Sequence, residues 1–274
     1  MTRTVRLGRA ELLPDPDLAD GWVLLVDGTQ QSHVDLADPS RLVFEYTRLI
    51  GHVLDLLPAG PIRALHLGGG ALTMPRYLAV TRPGSSSTVI EVDDLLIELV
   101  RQELPWPREA SIRLRAQDAR VALDGSRPGS VDLVVLDVFA GARTPGPLTT
   151  VEAFTQAAQT LRPTGTLVAN LADEGQLTYA RRFVAGMAEA FDDVTVLAEP
   201  SVLRGRRFGN LIAVGRQEPA ARLDLQALTR RCAAEAYPAR VVHGPALEAF
   251  LGTHAPFRDG SAPGSPEPPA GVFG

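Results

Sequence analysis

The chain has 274 residues, 45% of them hydrophobic, which suits one sizeable domain with appendages and a true core. Its formal charge is -5 and all 27 basic residues are arginine, with no basic cluster to neutralise phosphates, which excludes nucleic acid as the expected partner. A single cysteine, Cys232, excludes an intrachain disulfide and a cysteine-based metal site, and the five histidines (33, 52, 66, 243 and 254) lack metal-ligand spacing.

Residues 1–38 read as a β-hairpin region: Gly21 to Val26 ends at the turn signal Asp27-Gly28, and Gln30 to Asp35 is the returning strand. In 39–61, apolar positions at Leu42, Tyr46, Leu49, Ile50, Val53 and Leu57 predict a connecting helix, stopped by Pro58-Ala59-Gly60-Pro61. From 62 to 216 the rhythm changes. Nearly continuous apolar runs (62–67, 87–92, 111–116, 131–137, 165–171 and 193–199) alternate with helical stretches at about 72–81, 93–104, 149–161 and 174–190. Strands without polar alternation are buried on both faces, so the expectation is a doubly wound, mostly parallel α/β sheet. Arg206 to Val214 reads as a last strand, antiparallel to its neighbour. A helical extension follows over 217–254, with a helix from Asp224 to Ala236. The Pro-, Gly- and Ser-rich 255–274 read as a disordered tail. No apolar signal core and no run near the ~18 residues of a membrane span occur, which predicts a cytoplasmic protein with no membrane partner.

The sharpest local signal is Ala64-Leu65-His66-Leu67-Gly68-Gly69-Gly70, a buried strand running into three glycines and then a helix. Taken alone, that triplet is equally a tight turn without a ligand. Three acids at the ends of the following strands change the balance. Glu91 lies 23 residues after Gly68, where an acid can accept hydrogen bonds from ribose hydroxyls. Asp118, next to Ala119, can receive the exocyclic amine of adenine, and Asp137 closes the fourth strand, where ligands sit in open α/β sheets. No basic residue lies inside the glycine turn, so a positively charged sulfonium nucleoside fits better than a phosphate.

These residues resemble the spermidine synthase family, aminopropyltransferases built on the fold of class I methyltransferases. The similarity runs from about Gly21 to Val214. It comprises Asp27-Gly28 with Gln31, the three glycines, Glu91-Val92-Asp93, Asp118-Ala119, Asp137, and Thr144-Pro145-Gly146-Pro147-Leu148 ahead of Glu152-Ala153-Phe154. The resemblance implies a Rossmann-like sheet with a small N-terminal β-domain. It assigns Gln31, Gly68, Gly69, Gly70, Glu91, Val92, Asp118 and Ala119 to the nucleoside and Asp137 to catalysis. It also implies decarboxylated S-adenosylmethionine as co-substrate without a metal, a small-molecule amine as acceptor, and a homo-oligomer, dimer or tetramer. Asp137 has a chemical reason of its own: an amine arrives protonated, and a carboxylate must take that proton before nitrogen attacks carbon.

Two positions depart from the family. Ala71 stands where an Asp usually follows the glycines, and Ala140 where a second Asp follows the catalytic one. The Phe44-Glu45-Tyr46 stretch matches the family loosely. Either Glu45, Asp93 and Asp173 replace the missing acids, with Tyr46 beside them, or the substrate is not an ordinary diamine. Asp173 equally suits a helix cap. His66 reads as a core histidine, Arg76 as a surface charge, the Arg204–Arg207 cluster as a solvated tip, and Cys232 as a structural thiol. Three functions remain open: aminopropyl transfer, methyl transfer from S-adenosylmethionine, and a nucleoside-binding relative that has lost its chemistry.

Overall fold

The computed structural model describes residues 1–141, 143–217 and 223–269. The N-terminal region holds four strands rather than one hairpin: β1 (Thr2–Val5), β2 (Gly8–Pro14), β3 (Gly21–Val26) and β4 (Thr29–Asp35), paired antiparallel in chain order. The β1–β2 hairpin escapes a periodicity reading because its strands are short and interrupted by Arg and Gly. Helix α1 (Glu45–Asp55) starts later than Pro39, and its buried positions Leu49, Ile50, Val53 and Leu54 form one face.

The main sheet follows. Its parallel part is β5 (Arg63–Leu67), β6 (Ser86–Glu91), β7 (Ile112–Ala116), β8 (Val131–Leu136) and β9 (Leu161–Asp173). Helices α2 (Thr73–Thr81), α3 (Asp94–Glu103), α4 (Ala119–Asp124) and α5 (Val151–Thr160) connect these strands. Then come α6 (Thr178–Ala190), β10 (Asp193–Ala198), α7 (Pro200–Leu203), β11 (Gly209–Arg216), α8 (Leu225–Ala233), β12 (Arg240–Val242) and α9 (Pro245–Leu251). The strand order is β12-β10-β11-β9-β8-β5-β6-β7, with β11 antiparallel to both β9 and β10. The chain therefore winds outward from β5 through β7 and returns to β8 beside β5. That reversal opens a crevice at the carboxyl ends of β5 and β8.

Alternate residues of each strand enter two cores. Val134 and Leu136 pack with α4, α5 and α6 on one face, while Leu133 and Val135 pack with α1, α2 and α8 on the other. Buried Cys232 belongs to the second core, where desolvation pushes its thiol up to about 11. A third cluster joins Leu12, Leu24 and Val26 of the small sheet to Val89, Leu96 and Leu99 of the large domain. Polar ties reinforce that seam: Leu7 N–H donates to Asp93 Oδ2 at 2.9 Å, and Arg6 pairs with Asp94.

Residues 255–269 correct the reading of a disordered tail. Phe257 is buried against Tyr179, with ring centroids 5.3 Å apart, and its carbonyl accepts from Val151 N–H at 3.1 Å. Asp259 forms a bidentate pair with Arg120 at 2.7 and 2.8 Å. Ser265 bonds both backbone groups of Thr144. Composition hid this because one aromatic ring and two ion or amide clamps suffice to seat an irregular strap. Residues 270–274 of that tail, and 218–222 of the 217–254 extension, lie outside the described residues.

Candidate active site

The crevice holds a cavity of about 460 Å³, within the usual range for a small-molecule site. Gly68, Gly69, Gly70, Gln31, Glu91, Val92, Asp118, Ala119 and Asp137 all line it. The glycines have steric reasons. At Gly68 (φ 97°) a Cβ would collide with the Asp137 carbonyl, because β5 and β8 end side by side. At Gly70 (φ 47°) it would strike Ser32 Oγ, which accepts from Ala71 N–H at 3.2 Å and locks β4 onto the turn.

Glu91 reads the turn directly. Its Oε2 accepts from Gly69 N–H and its Oε1 from Asp93 N–H, both at 3.0 Å. Asp118 caps α4 by accepting from Val121 N–H at 2.9 Å. Gln31 reaches across and donates to the Gly141 carbonyl at 3.2 Å. Val92 is 50% exposed on the cavity wall.

Asp137 lies directly after β8, half-buried, with Asn170 Nδ2 donating to its Oδ1 at 2.9 Å and the Tyr46 hydroxyl donating as well. Burial pushes its carboxyl above the ordinary carboxylate range, partly offset by those two donors. Burial and the Asp137 charge hold the Tyr46 hydroxyl far up, so it stays protonated. Asn170 is itself oriented, its Oδ1 accepting from Asn210 Nδ2 at 2.9 Å. The sequence reading missed Asn170 and Asn210. Two asparagines on separate strands carry no local spacing signal, and only the β9–β11 register sets them as near neighbours.

A second cavity of about 360 Å³ adjoins the first. Tyr46, Gln31, Phe139 and Gly141 line both, and Asn170 and Asn210 line the second. Asp137 thus lines the first cavity while both its hydrogen-bond donors line the second.

Asp93 and Asp173, two of the candidate replacement acids, are both held by backbone amides, and of the two only Asp93 lines the cavity. Asp93 caps α3 and receives Leu7 N–H on its other oxygen, so backbone amides engage both. Asp173 is buried, accepts from Glu174 and Ala180 N–H groups at 2.8 Å each, and borders neither cavity. A strand-end acid before a helix meets the orphan amides of that helix first, as Asp118 also does. Ala71 is buried behind the turn, outside the cavity wall. Ala140 stands exposed at the rim.

One other reading changes. Arg76 is buried instead of surface-exposed, donating to the carbonyls of Ala71, Leu104 and Pro105 and stacking over Trp106. Arg120, on α4 and outside the glycine turn, lines the first cavity with its charge held by Asp259 and Asp124. The Arg204–Arg207 tip is exposed as read, with Arg207 paired to Glu45 and Glu199 at its surface. His66 is a core histidine 3.2 Å from Ser87 Oγ, and desolvation pushes it down to about 3, so it stays neutral near pH 7.

No family model matches the chain. The solved structure of a probable spermidine synthase from Corynebacterium glutamicum is 36% identical, with a TM-score of 0.88 over 96% of this chain and 97% of that one. The chain belongs to the spermidine synthase family. The polyamine aminopropyltransferase of Vibrio vulnificus is 29% identical over 147 residues, 52% of this chain and 49% of that protein, so the chain spans about half the length of the curated relatives it matches. Human methyltransferase-like protein 13, solved with S-adenosylhomocysteine, shares the fold at 20% identity and a TM-score of 0.56, over 80% of this chain and 97% of that one. Spermidine synthase family membership and the class I methyltransferase fold thus agree with what the motifs implied. Among the described residues no helix is long and apolar enough to cross a membrane, and no group of three or more His, Cys, Asp or Glu could hold a metal ion.

Proposed function

We propose that the protein is an aminopropyltransferase, moving an aminopropyl group from decarboxylated S-adenosylmethionine to an amine, with Asp137 as general base. The observation that carries this reading is the pairing of two cavities across one carboxylate. Asp137 lines the nucleoside cavity, and its donors Tyr46 and Asn170 line the neighbour.

The nucleoside cavity fits its ligand chemically. Glu91 and Asp118 each spend one lone pair per bonded oxygen on backbone amides and retain acceptor capacity for ribose hydroxyls and an exocyclic amine. The wall's one arginine, Arg120, is neutralised by its own acids, which suits a cationic nucleoside better than a phosphorylated one. When bound, the sulfonium supplies an electrophilic carbon, and its C–S bond breaks to leave neutral methylthioadenosine. Asp137 accepts the ammonium proton of the acceptor, which frees the nitrogen lone pair for attack on that carbon. Burial raises its proton affinity towards that of the task, and Tyr46 and Asn170 fix the carboxylate's direction.

A thermal-shift comparison of S-adenosylmethionine, its decarboxylated form, methylthioadenosine and S-adenosylhomocysteine tests the reading. Stabilisation by the decarboxylated form and methylthioadenosine is the expected result. Stabilisation mainly by the two carboxylate-bearing nucleosides would move the protein to methyl transfer. Asp137→Asn should lower kcat/KM by about 10²–10⁴-fold, with methylthioadenosine affinity kept within about tenfold. Full turnover in that variant would remove Asp137 from the mechanism.

A further inference from the structure

Arg120 joins several elements at the edge of the first cavity, which it also lines. Its Nη1 donates to the Pro147 carbonyl at 2.7 Å and to Asp259 Oδ1 at 2.8 Å, and its Nη2 donates to Asp259 Oδ2 at 2.7 Å. Its Nε donates to Asp124 Oδ1 at 2.9 Å, one turn along the same helix. Thr150, the N-cap of α5, donates its hydroxyl to Asp259 Oδ1 at 2.7 Å. One planar guanidinium thus ties together α4, the loop between β8 and α5, and the strap of residues 255–269. A rigid fork of donors fixes their spacing in a way that a single ammonium cannot.

None of the joined parts is stiff by itself. Helix α4 has six residues, the loop holds a 3₁₀ turn at Gly146–Leu148, and the strap has neither helix nor strand among its described residues. Yet α4 follows Asp118 and opens on Ala119, both of which line the first cavity, and the loop adds Pro145, Pro147 and Leu148. Because Asp124 and Asp259 match its charge, Arg120 contributes geometry there and not a free cation. The base is anchored elsewhere. The Asp137 N–H donates to the Leu67 carbonyl at 2.9 Å, and its donors Tyr46 and Asn170 lie on α1 and β9.

Resting on the nucleoside reading of the first cavity, we propose that Arg120 is a positioning residue for the co-substrate. It acts through Asp118, Ala119 and Pro147. Through Asp259 it makes the strap part of the nucleoside site, although no described strap residue lines that cavity.

Calorimetric titration of methylthioadenosine onto the full chain tests this. Arg120→Ala should weaken binding by about tenfold, and Asp259→Asn by a similar factor. The double variant should bind no more weakly than the weaker single one, because both changes open the same joint. Additive losses, or unchanged affinity in either single variant, overturn the proposal. Arg258→Ala removes an exposed strap arginine that pairs with Glu189 and Glu152, and it should bind as the parent does. An equal loss there would mean general loosening of the strap and also overturns the clamp. In turnover with 1,4-diaminobutane, Arg120→Ala should raise KM for decarboxylated S-adenosylmethionine by about tenfold and leave kcat unchanged, the signature of lost binding common to ground and transition states. A fall in kcat at unchanged KM counts against the assignment. Should Arg120→Ala fail to fold, Asp259→Asn opens the joint from the half-exposed strap side. If the parent binds no methylthioadenosine, the nucleoside reading itself fails, and amide hydrogen exchange in the free protein decides the clamp. Faster exchange at Leu148, Thr149 and Val151 in the Arg120→Ala or Asp259→Asn variant supports it, and unchanged protection overturns it.

Discussion

Asp137, Tyr46 and Asn170 form a small circuit in which each atom has a reason for its state. Tyr46 stays protonated because burial and the adjacent charge oppose its ionisation, so it can only donate to the carboxylate. Asn170 donates because Asn210 occupies its carbonyl oxygen. Both donors favour ionised Asp137, and burial opposes it. Removing a donor with Asn170→Ala should therefore push the carboxyl further up. The acid limb of the kcat/KM profile moves to higher pH, and kcat falls by about tenfold; a profile that keeps its position would mean Asn170 does not tune the base. The same balance links activity to stability. A carboxyl whose folded pKa is raised stabilises the fold below its unfolded pKa and loses that contribution as pH rises through the folded value. At neutral pH ionised Asp137 therefore costs stability, and Asp137→Asn should melt above the parent although inactive. The gap should close as pH falls through the carboxylate range, which calorimetry at several pH values would reveal.

At the scale of elements, the strap of residues 255–269 governs the loop between β8 and α5. Arg143 donates to the Ser265 carbonyl at 2.6 Å, and Gly146 packs so closely on Ala262 that a Cβ would meet its carbonyl. Pro147 and Asp259 share the guanidinium of Arg120. That loop supplies Gly141, Pro145, Pro147 and Leu148 to the first cavity. Phe257→Ala should cost about 3 kcal/mol or more in unfolding free energy, as for other fully buried phenylalanines. A chain ending at His254 should bind methylthioadenosine about tenfold more weakly, as read by titration, because its loop loses the backing. Unchanged affinity would show that the loop holds itself.

Across the whole molecule, the small sheet and the large α/β domain share one apolar cluster, so neither buries its face alone. Unfolding should follow one cooperative transition in scanning calorimetry. Two resolved transitions would mean that residues 1–38 fold apart.

The chain's own residues determined a good deal of this. Apolar runs marked the strands from β5 to β10; most are buried on both faces and leave no place for alternation, whereas the edge strand β7 has no buried residue and carries Arg113 and Arg115. The glycine turn and the acids Glu91, Asp118 and Asp137 were legible for a local reason: each sits at the end of a strand, where the backbone itself delivers it to the crevice. Tertiary structure decided the rest. Asp93 and Asp173 have the same local signature as the other acids of the crevice, but Asp93 also ties down Leu7 of the small sheet, and Asp173 is buried against the amides of Glu174 and Ala180, away from both cavities. Asn170 and Asn210 came to line the second cavity through strand register, and the strap gained order from Phe257, Asp259 and Ser265 meeting partners far along the chain, such as Tyr179, Arg120 and Thr144. Short-range pattern records which face a residue takes, whereas long-range contact decides which partner its polar atoms meet.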